Sequence, residues 1–292
     1  MKYNDQANLD PSQMGGGGSR GGGGKIALGG GAGVVVLIIA LLLGVNPGDL
    51  LGSGTAGAPQ QTTAATPFAQ CTTGADIEQN RDCRFVAFTN SIQSYWSQEQ
   101  TDYQEIQVNT FTGQVSTACG TASSAVGPFY CPGDTTVYLD LSFFDQLTSE
   151  LGAKGGDAAE AYVLAHEFGH HIQNLTGQMR KVQGSGSGQD TGPKSPQVRL
   201  ELQADCYAGV WFNHATSDPN SPIAEVSQAD LDDATDAAQA VGDDRIQEKT
   251  QGQVSPESWT HGSAENRKKW LAQGFTTGDP AQCDTFAANA LG

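Results

Sequence analysis

Residues 158–173, AAEAYVLAHEFGHHIQ, form the stretch that decides the fold. Ala, Glu and Leu favour a helix, and apolar residues recur as far as Ile172. The stretch contains the pattern His-Glu-x-x-His, in which His166 and His170 are four residues apart. On a helix this spacing brings both imidazoles to one point, an arrangement that suits a zinc ion. Glu167, beside the first histidine, is placed to take a proton from metal-bound water.

A second helix, predicted for residues 198–212 (VRLELQADCYAGVWF), strengthens this interpretation. The first motif alone is also compatible with a surface helix that carries two histidines by chance. A two-histidine zinc site needs a third protein ligand, and Glu201 supplies a carboxylate. Asp205 lies one turn further on and can accept the outer N–H of a ligating histidine. Burying two acids in so apolar a helix would be costly without a cation, although a solvated acidic stripe is the alternative.

The sequences HEFGH (166–170) and ELQADCYAG (201–209) together resemble the bacterial putative neutral zinc metallopeptidase family, and more broadly the gluzincin proteases. The resemblance covers the chain from about Thr72 to the C-terminus, and a Gly-rich start with a membrane segment is typical of the family. It implies one zinc ion per chain, with Glu201 as third ligand and Glu167 as general base. The implied activity is hydrolysis of peptide bonds in a polypeptide substrate.

The N-terminal part of the chain is predicted to lie outside the folded domain. Residues 1–25 are rich in Gly, Asn and Gln, which predicts a disordered cytoplasmic segment. Residues 26–45 carry no charge and predict a transmembrane helix in contact with the lipid bilayer, with a cleaved signal peptide as the alternative. Residues 46–70 predict a flexible linker. Arg20 and Lys25 precede the apolar run, which places the N-terminus in the cytoplasm.

Residues 71–292 are predicted to form the extracytoplasmic domain of a single-pass protein of the bacterial cell membrane. The expected fold class is α+β: a mainly helical, zincin-like metalloprotease domain with a small antiparallel sheet, preceded by one transmembrane helix. Residues 135–141 predict a strand just before the metal helix. In gluzincins an exposed edge strand at this position holds an extended substrate by main-chain pairing. An ordinary core strand is an equally supported alternative.

Residues 258–270, SWTHGSAENRKKW, supply the last candidate site residues. His261 precedes a predicted helix, and Arg267 follows six residues later. Related membrane zinc proteases carry a similar Thr-His-Pro…Arg arrangement, with Gly262 standing here in place of proline. This resemblance implies that His261 donates to the oxyanion of the reaction, while Arg267 orients it or a substrate carboxylate. The alternative for His261 is a structural role at the start of the helix.

Six cysteines follow the predicted span, which fits an oxidising compartment. Two pairs share a separation of twelve residues, so local loops give the simplest scheme and leave the last two cysteines to each other. Zinc–thiolate sites are disfavoured because no Cys-x-x-Cys spacing occurs. The favoured disulfides are therefore Cys71–Cys83, Cys119–Cys131 and Cys206–Cys283.

The net charge of −17 argues against a nucleic-acid partner, whose phosphates would be repelled. The main alternative to a peptidase is a non-catalytic, membrane-tethered binding or assembly factor in which zinc staples two helices. Structural zinc sites normally have four protein ligands, whereas three candidates are found here. Hydrolysis of a non-peptide bond, such as an amide of the cell wall, is a third hypothesis.

Overall fold

The computed structural model describes residues 1–16, 67–184 and 191–291. The helices of these ranges are α1 (Asp76–Gln79), α2 (Cys83–Glu99), α3 (Phe143–Ser149), α4 (Asp157–Leu175), α5 (Gln178–Gly184), α6 (Pro196–His214), α7 (Gln228–Ala240), α8 (Asp243–Gln251) and α9 (Ala264–Thr277). The strands are β1 (Lys2–Tyr3), β2 (Met14–Gly16), β3 (Gln107–Thr110), β4 (Gln114–Thr117), β5 (Gly120–Ser123), β6 (Phe129–Cys131), β7 (Thr136–Leu139) and β8 (Ile223–Glu225). Helices predominate, and the sheets are small.

Helix α4 contains the two histidines and is buried along most of its length. It begins after Gly156, whose φ of 98° is positive, a backbone conformation that favours glycine. Its first turn carries Asp157 and Glu160, whose negative charges favour a helix N-terminus. Both carboxylates pair with Arg84 of α2. A helix that is apolar on most sides is therefore fixed against α2 by ion pairs at its start.

Helix α6 packs closely against α4 at Gly169, the fourth residue of HEFGH. A Cβ atom at Gly169 would lie only 2.9 Å from the Cα atom of Ala204, closer than real side chains approach. The missing side chain therefore allows the two backbones to come together. Glu201, three residues before Ala204, is brought by this contact to the histidines of α4.

Helix α9 packs against α6 through a second close contact. A Cβ atom at Gly274 would lie 1.9 Å from the carbonyl oxygen of Cys206, so only glycine fits there. The disulfide between Cys206 and Cys283 also joins α6 to the segment that follows α9. These contacts set the first half of α9, including Arg267, beside Asp205 of α6.

All six cysteines are bonded, and the pairing favoured by their spacing is confirmed. The first disulfide fixes the start of α2, which carries the arginine that binds α4. The second joins the turn between β4 and β5 to the end of β6. The third holds α6 as described above. Among the described residues no free cysteine is left for a zinc–thiolate site.

The larger sheet has the strand order β2-β3-β7-β6 and is mixed. Strands β2, β3 and β7 run parallel, and β6 is antiparallel to β7. The predicted small antiparallel sheet is therefore wrong for this sheet, although β4 and β5 form an antiparallel hairpin. Parallel strands need long connections, and the chain provides them. A long crossover joins β3 to β7, and β2 comes from the distant N-terminus.

The strand predicted at residues 135–141 is β7, and it lies in the interior of the sheet. All four of its residues are buried, and it pairs with β3 on one side and β6 on the other. The hypothesis of a substrate-binding edge at this strand is therefore wrong, and the core-strand alternative holds. Strand β6 ends the strand order instead, and its Tyr130 hydroxyl lies 3.0 Å from Nδ1 of His171 on α4.

Residues 1–16, which the composition assigns to disorder, are part of the folded body. Strand β1 pairs with β8 and β2 pairs with β3, while Leu9 and Met14 are buried in the main core. The prediction is wrong here because single apolar residues in a polar segment find partners only in the tertiary structure. Phe68 is also buried, although the predicted linker extends to residue 70. Residues 17–25 and 46–66 lie outside the described residues.

The predicted single-pass topology and cell-membrane location are wrong. In the described ranges no helix combines the length and the apolar character that a bilayer crossing requires, and the predicted span 26–45 lies outside these ranges. Residues 1–16 pack on the same body as residues 67–291, and a Cβ atom at Gly16 would lie 2.3 Å from Cγ of Pro67. An N-terminus on the opposite side of a membrane from the domain is incompatible with this packing.

The N-terminal segment provides a direct test. We expect Met14→Ala to lower the free energy of unfolding by about 2–5 kcal/mol, because it leaves a cavity where a buried side chain was. Chemical denaturation would measure this change. Ser12→Ala, at an exposed position of the same segment, serves as the control. An unchanged stability for Met14→Ala would mean that this segment is not part of the fold.

Candidate metal centre

His166 and His170 of α4 and Glu201 of α6 form a buried group whose ligand atoms lie within 4.8 Å of one another. Oε2 of Glu201 is 3.2 Å from Nε2 of His166 and 3.6 Å from Nε2 of His170. Ligand atoms bonded at about 2.0–2.2 Å to a tetrahedral zinc stand roughly 3.3–3.6 Å apart. The donor types and the separations therefore fit a metal ion of this kind.

The electrostatics of the three side chains also favour a cation. Burial opposes ionisation of the Glu201 carboxyl, yet the two imidazoles hold its pKa well below its usual range. Burial would lower the pKa of His166, but the Asp205 carboxylate raises it to about 10. The pKa of His170 is likewise raised, against the effect of burial, by Glu201. The carboxylates that raise these pKa values would favour a bound cation in the same way.

Asp205 accepts hydrogen bonds from groups on two other helices. Its Oδ1 lies 2.8 Å from Nδ1 of His166 and 2.6 Å from the hydroxyl of Tyr162. Arg267 donates to it from Nε and Nη2, both at 2.9 Å, and Nη2 also donates to Tyr162 at 3.0 Å. Burial would raise the pKa of Asp205, but Arg267 and His166 lower it to about 2. The carboxylate is therefore ionised, and it orients the His166 ring.

Arg267 is placed differently from the role that the sequence implied. Its side chain is buried, and its hydrogen bonds go to Asp205, to Tyr162 and to the carbonyl of Val241. It therefore holds Asp205 rather than orienting His261. Paired charges of this kind are costly to break when buried, because one partner would remain uncompensated.

Two glutamines that hold the side chains of candidate ligands were missed in the sequence. Oε1 of Gln173 lies 2.9 Å from Nδ1 of His170, and Nε2 of Gln173 donates to the Leu200 carbonyl of α6. Gln197 donates to Oε1 of Glu201 at 3.0 Å. Helical spacing of three and four residues from the ligands was the available signal. Each proposed ligand thus has a side-chain partner that fixes its orientation.

Glu167 and His261 line the same cavity as the three candidate ligands. Only 7 % of the Glu167 surface is exposed to solvent, so this residue lies inside the protein where it lines the cavity. Nδ1 of His261 faces Oδ1 of Asp243 at 3.4 Å and the Thr260 hydroxyl at 3.1 Å. Asp243 and Thr260 therefore hold the His261 ring where it lines the cavity.

Asp243, the first residue of α8, was not singled out in the sequence and is fully buried. Its Oδ2 accepts backbone N–H groups of Thr260, His261 and Gly262 at 2.7–2.9 Å. Burial would raise the pKa of Asp243, but His261 and these donors lower it. The residue was missed because its partners are eighteen or so residues away, and only the packing of α8 beside this loop reveals them.

His171 directly follows the candidate ligand His170, and its contacts indicate a structural role. Its Nδ1 lies 3.0 Å from the Tyr130 hydroxyl, and its Nε2 lies 2.9 Å from the Gln104 carbonyl. Burial lowers the pKa of its ring. This histidine fixes α4 to the edge strand β6.

Comparison with known proteins shows the family of the chain. The profile of a family described as putative neutral zinc metallopeptidase matches residues 2–286, so the chain belongs to that family. An uncharacterized protein of Mycobacterium tuberculosis, Rv2575, is 46 % identical over 258 residues, which cover 87 % of each chain. The uncharacterized protein YpfJ of Escherichia coli K12 is 42 % identical over 231 residues, covering 75 % of this chain and 77 % of that one. No solved structure matches the chain.

The Asp205 network predicts a measurable loss of metal affinity. We expect Asp205→Asn to weaken zinc binding by about 10–100-fold, because the orienting carboxylate of His166 becomes a neutral amide. Competition with a chromogenic chelator would measure the dissociation constant. The control is Asp232→Asn, which makes the same substitution at an exposed position of α7. This variant should bind zinc as the wild type does. Equal affinity in both variants would contradict the orienting role.

Proposed function

We propose that the chain is a zinc-dependent peptidase that binds one zinc ion through His166, His170 and Glu201. The observation that carries the proposal is the buried three-donor group with Glu167 beside it in one cavity. Three protein ligands leave a coordination position for water or substrate, which is the usual difference between catalytic and structural zinc sites. Membership of a zinc metallopeptidase family supports the same function.

Zinc would supply an acidified water and a positive charge that polarises the substrate carbonyl. Glu167 is the base that the chain itself provides. Its carboxylate would take the proton from the attacking water and pass it to the nitrogen of the leaving amine.

His261 is the proposed donor to the oxygen that becomes negative during the reaction. Asp243 accepts a hydrogen bond from the backbone of the His261 loop and faces Nδ1, so a His261 ring protonated on both nitrogens would be held in place as an Nε2–H donor. Donors fixed before the reaction stabilise developing charge more effectively than mobile ones. Asp243 would then act through His261 as a positioning residue.

The edge strand β6 is the proposed surface for the substrate backbone. It ends the strand order, and Phe129 at its start lines the cavity together with the metal ligands. An extended peptide added to this edge would pair through its main chain, which gives affinity with little dependence on sequence. The proposed substrate surface is therefore β6, the neighbour of β7, which the sequence had predicted for this role.

The alternative function is a non-catalytic binding or assembly factor in which zinc only joins α4 and α6. It requires that Glu167 and His261 have no chemical role although both line the cavity. A fourth protein ligand, which a closed structural site normally has, is not part of the candidate group within the described residues. Cleavage of an unstructured protein such as casein distinguishes the two functions.

The role of Glu167 is tested by Glu167→Gln, which removes the base and keeps the shape. We expect zinc content to remain at the wild-type value while casein hydrolysis falls by about 10²–10⁴-fold. Glu248→Gln, at an exposed position of α8, is the control and should hydrolyse casein normally. Wild-type hydrolysis by Glu167→Gln would exclude this residue as the base.

The role of His261 predicts a different kinetic signature. We expect His261→Ala to lower kcat by roughly 10²–10³-fold with little change in KM, because the donor acts mainly in the transition state. Zinc content and melting temperature should remain unchanged. A variant with normal kcat and a lower melting temperature would assign His261 to a structural role instead.

A further inference from the structure

A chain of buried amide groups leads from His170 to the C-terminal segment, residues 279–287. Nδ1 of His170 lies 2.9 Å from Oε1 of Gln173 on the same helix. Nε2 of Gln173 donates to Oε1 of Gln203 on α6 at 3.2 Å, and Nε2 of Gln203 donates to the carbonyl oxygen of Cys283 at 3.0 Å. Both glutamines are buried, so these hydrogen bonds are shielded from water. The amide groups therefore link the second candidate ligand of α4 to a distant part of the sequence.

The direction of these hydrogen bonds is set by main-chain carbonyl groups. Nε2 of Gln173 also donates to the carbonyl oxygen of Leu200 at 2.7 Å. A carbonyl oxygen can only accept, so the NH₂ group of Gln173 must face it and the amide oxygen must face His170. The carbonyl of Cys283 orients the amide of Gln203 in the same way. A reversed amide at either position would place two oxygens against each other.

This direction determines which ring nitrogen of His170 carries a proton. Oε1 of Gln173 is an acceptor, so Nδ1 of His170 has to be the donor. In the neutral ring the lone pair is then on Nε2, which lies 3.6 Å from Oε2 of Glu201 in the candidate metal group. A metal ligand needs that lone pair, and the hydrogen bond of the other nitrogen decides where it is. The amide groups therefore select the form of His170 that can bind a metal ion.

Helix α6 holds the C-terminal segment on the face that carries Gln203. The hydroxyl of the fully buried Thr285 donates to the carbonyl oxygen of Arg199 at 2.7 Å, and the side chain of Arg199 donates to the carbonyl oxygen of Thr285. The third disulfide joins the segment to α6 three residues after Gln203. Gln203 lies between these two attachments on one side of the helix, so the carbonyl group that it binds is fixed in place.

We propose that Gln203 and the C-terminal segment are positioning elements of the metal centre, because they hold Gln173 in the orientation that fixes the tautomer of His170. The inference rests on the zinc ligation in the proposed function and extends it beyond the immediate partners of the ligands. Loss of Gln203 would leave an N–H group of Gln173 without its partner inside the protein, so the amide would be less firmly oriented. The disulfide that anchors the segment then supports metal affinity as well as folding.

The dissociation constant for zinc, measured by competition with a chelator, tests this inference. We expect Gln173→Leu to weaken zinc binding by about 10–100-fold, as the loss of a ligand's direct partner does. Gln203→Met keeps the length of the side chain, and we expect a loss of about 2–10-fold, the effect of one neutral hydrogen bond. The control is Gln93→Met, at a buried glutamine of α2 that accepts the backbone N–H of Ile106. It should keep the wild-type affinity even if it lowers the melting temperature, and equal affinity in Gln203→Met would overturn the proposal.

A double substitution distinguishes positioning from a general loss of packing. If Gln203 acts through Gln173, then Gln203→Met should weaken zinc binding no further in a protein that already carries Gln173→Leu. Two independent structural effects would instead multiply, because their free energies add. Losses that multiply would therefore overturn the proposal.

Removal of the disulfide gives a second test if Gln203→Met does not fold. The variant with serine at both Cys206 and Cys283 should bind zinc more weakly than the wild type, because the segment loses its covalent attachment to α6. The control carries serine at Cys71 and Cys83, whose disulfide lies at the start of α2, and should keep the wild-type affinity. Equal affinity in both variants would overturn the role of the segment.

These measurements separate failure of this inference from failure of the proposed function, because none of them requires hydrolysis. Zinc binding with the expected losses, but without cleavage of casein, would overturn the peptidase function alone. Zinc binding and cleavage, with wild-type affinity in Gln203→Met, would overturn this inference alone. A wild-type protein that binds no zinc would overturn both.

Discussion

The site depends on the close contact between α4 and α6 at Gly169. With a side chain at this position the two backbones would have to separate, because the Cβ atom would meet Ala204 at 2.9 Å. The separation would move Glu201 away from His166 and His170, and the three donor atoms would no longer surround one point. Glycine at position 169, at some cost in helix propensity, thus allows the candidate ligands from two helices to meet.

Buried charged groups fix the relative positions of the helices at this contact. The Glu201 carboxylate faces two imidazoles, and the Asp205 carboxylate joins His166, Tyr162 and Arg267 into one hydrogen-bonded group. Removal of any one charge would leave a partner desolvated and unpaired, which costs more than the pair contributes. The group therefore specifies the relative positions of α4, α6 and α9 as much as it stabilises them, while Gly274 and the Cys206–Cys283 disulfide keep α9 close enough to take part.

The cavity is lined by the candidate ligands and by apolar side chains from several parts of the chain. Val163 lies on α4, Phe129 begins the edge strand β6, and Ile246 belongs to α8. Main-chain pairing at β6 would provide affinity for an extended peptide irrespective of its sequence.

The sequence by itself determined the features that are local or follow helical spacing. The candidate ligands, Glu167 and Asp205 could all be found from spacing, because residues three and four apart share a helix face. The disulfides followed from cysteine spacing, while the roles of His261 and Arg267 came from resemblance. The tertiary structure alone decided the partner of Arg267, the burial of Asp243, the position of β7 within the sheet and the folding of residues 1–16. These depend on contacts between residues far apart in the chain, for which composition and periodicity carry no signal, and the predicted membrane topology was wrong for that reason.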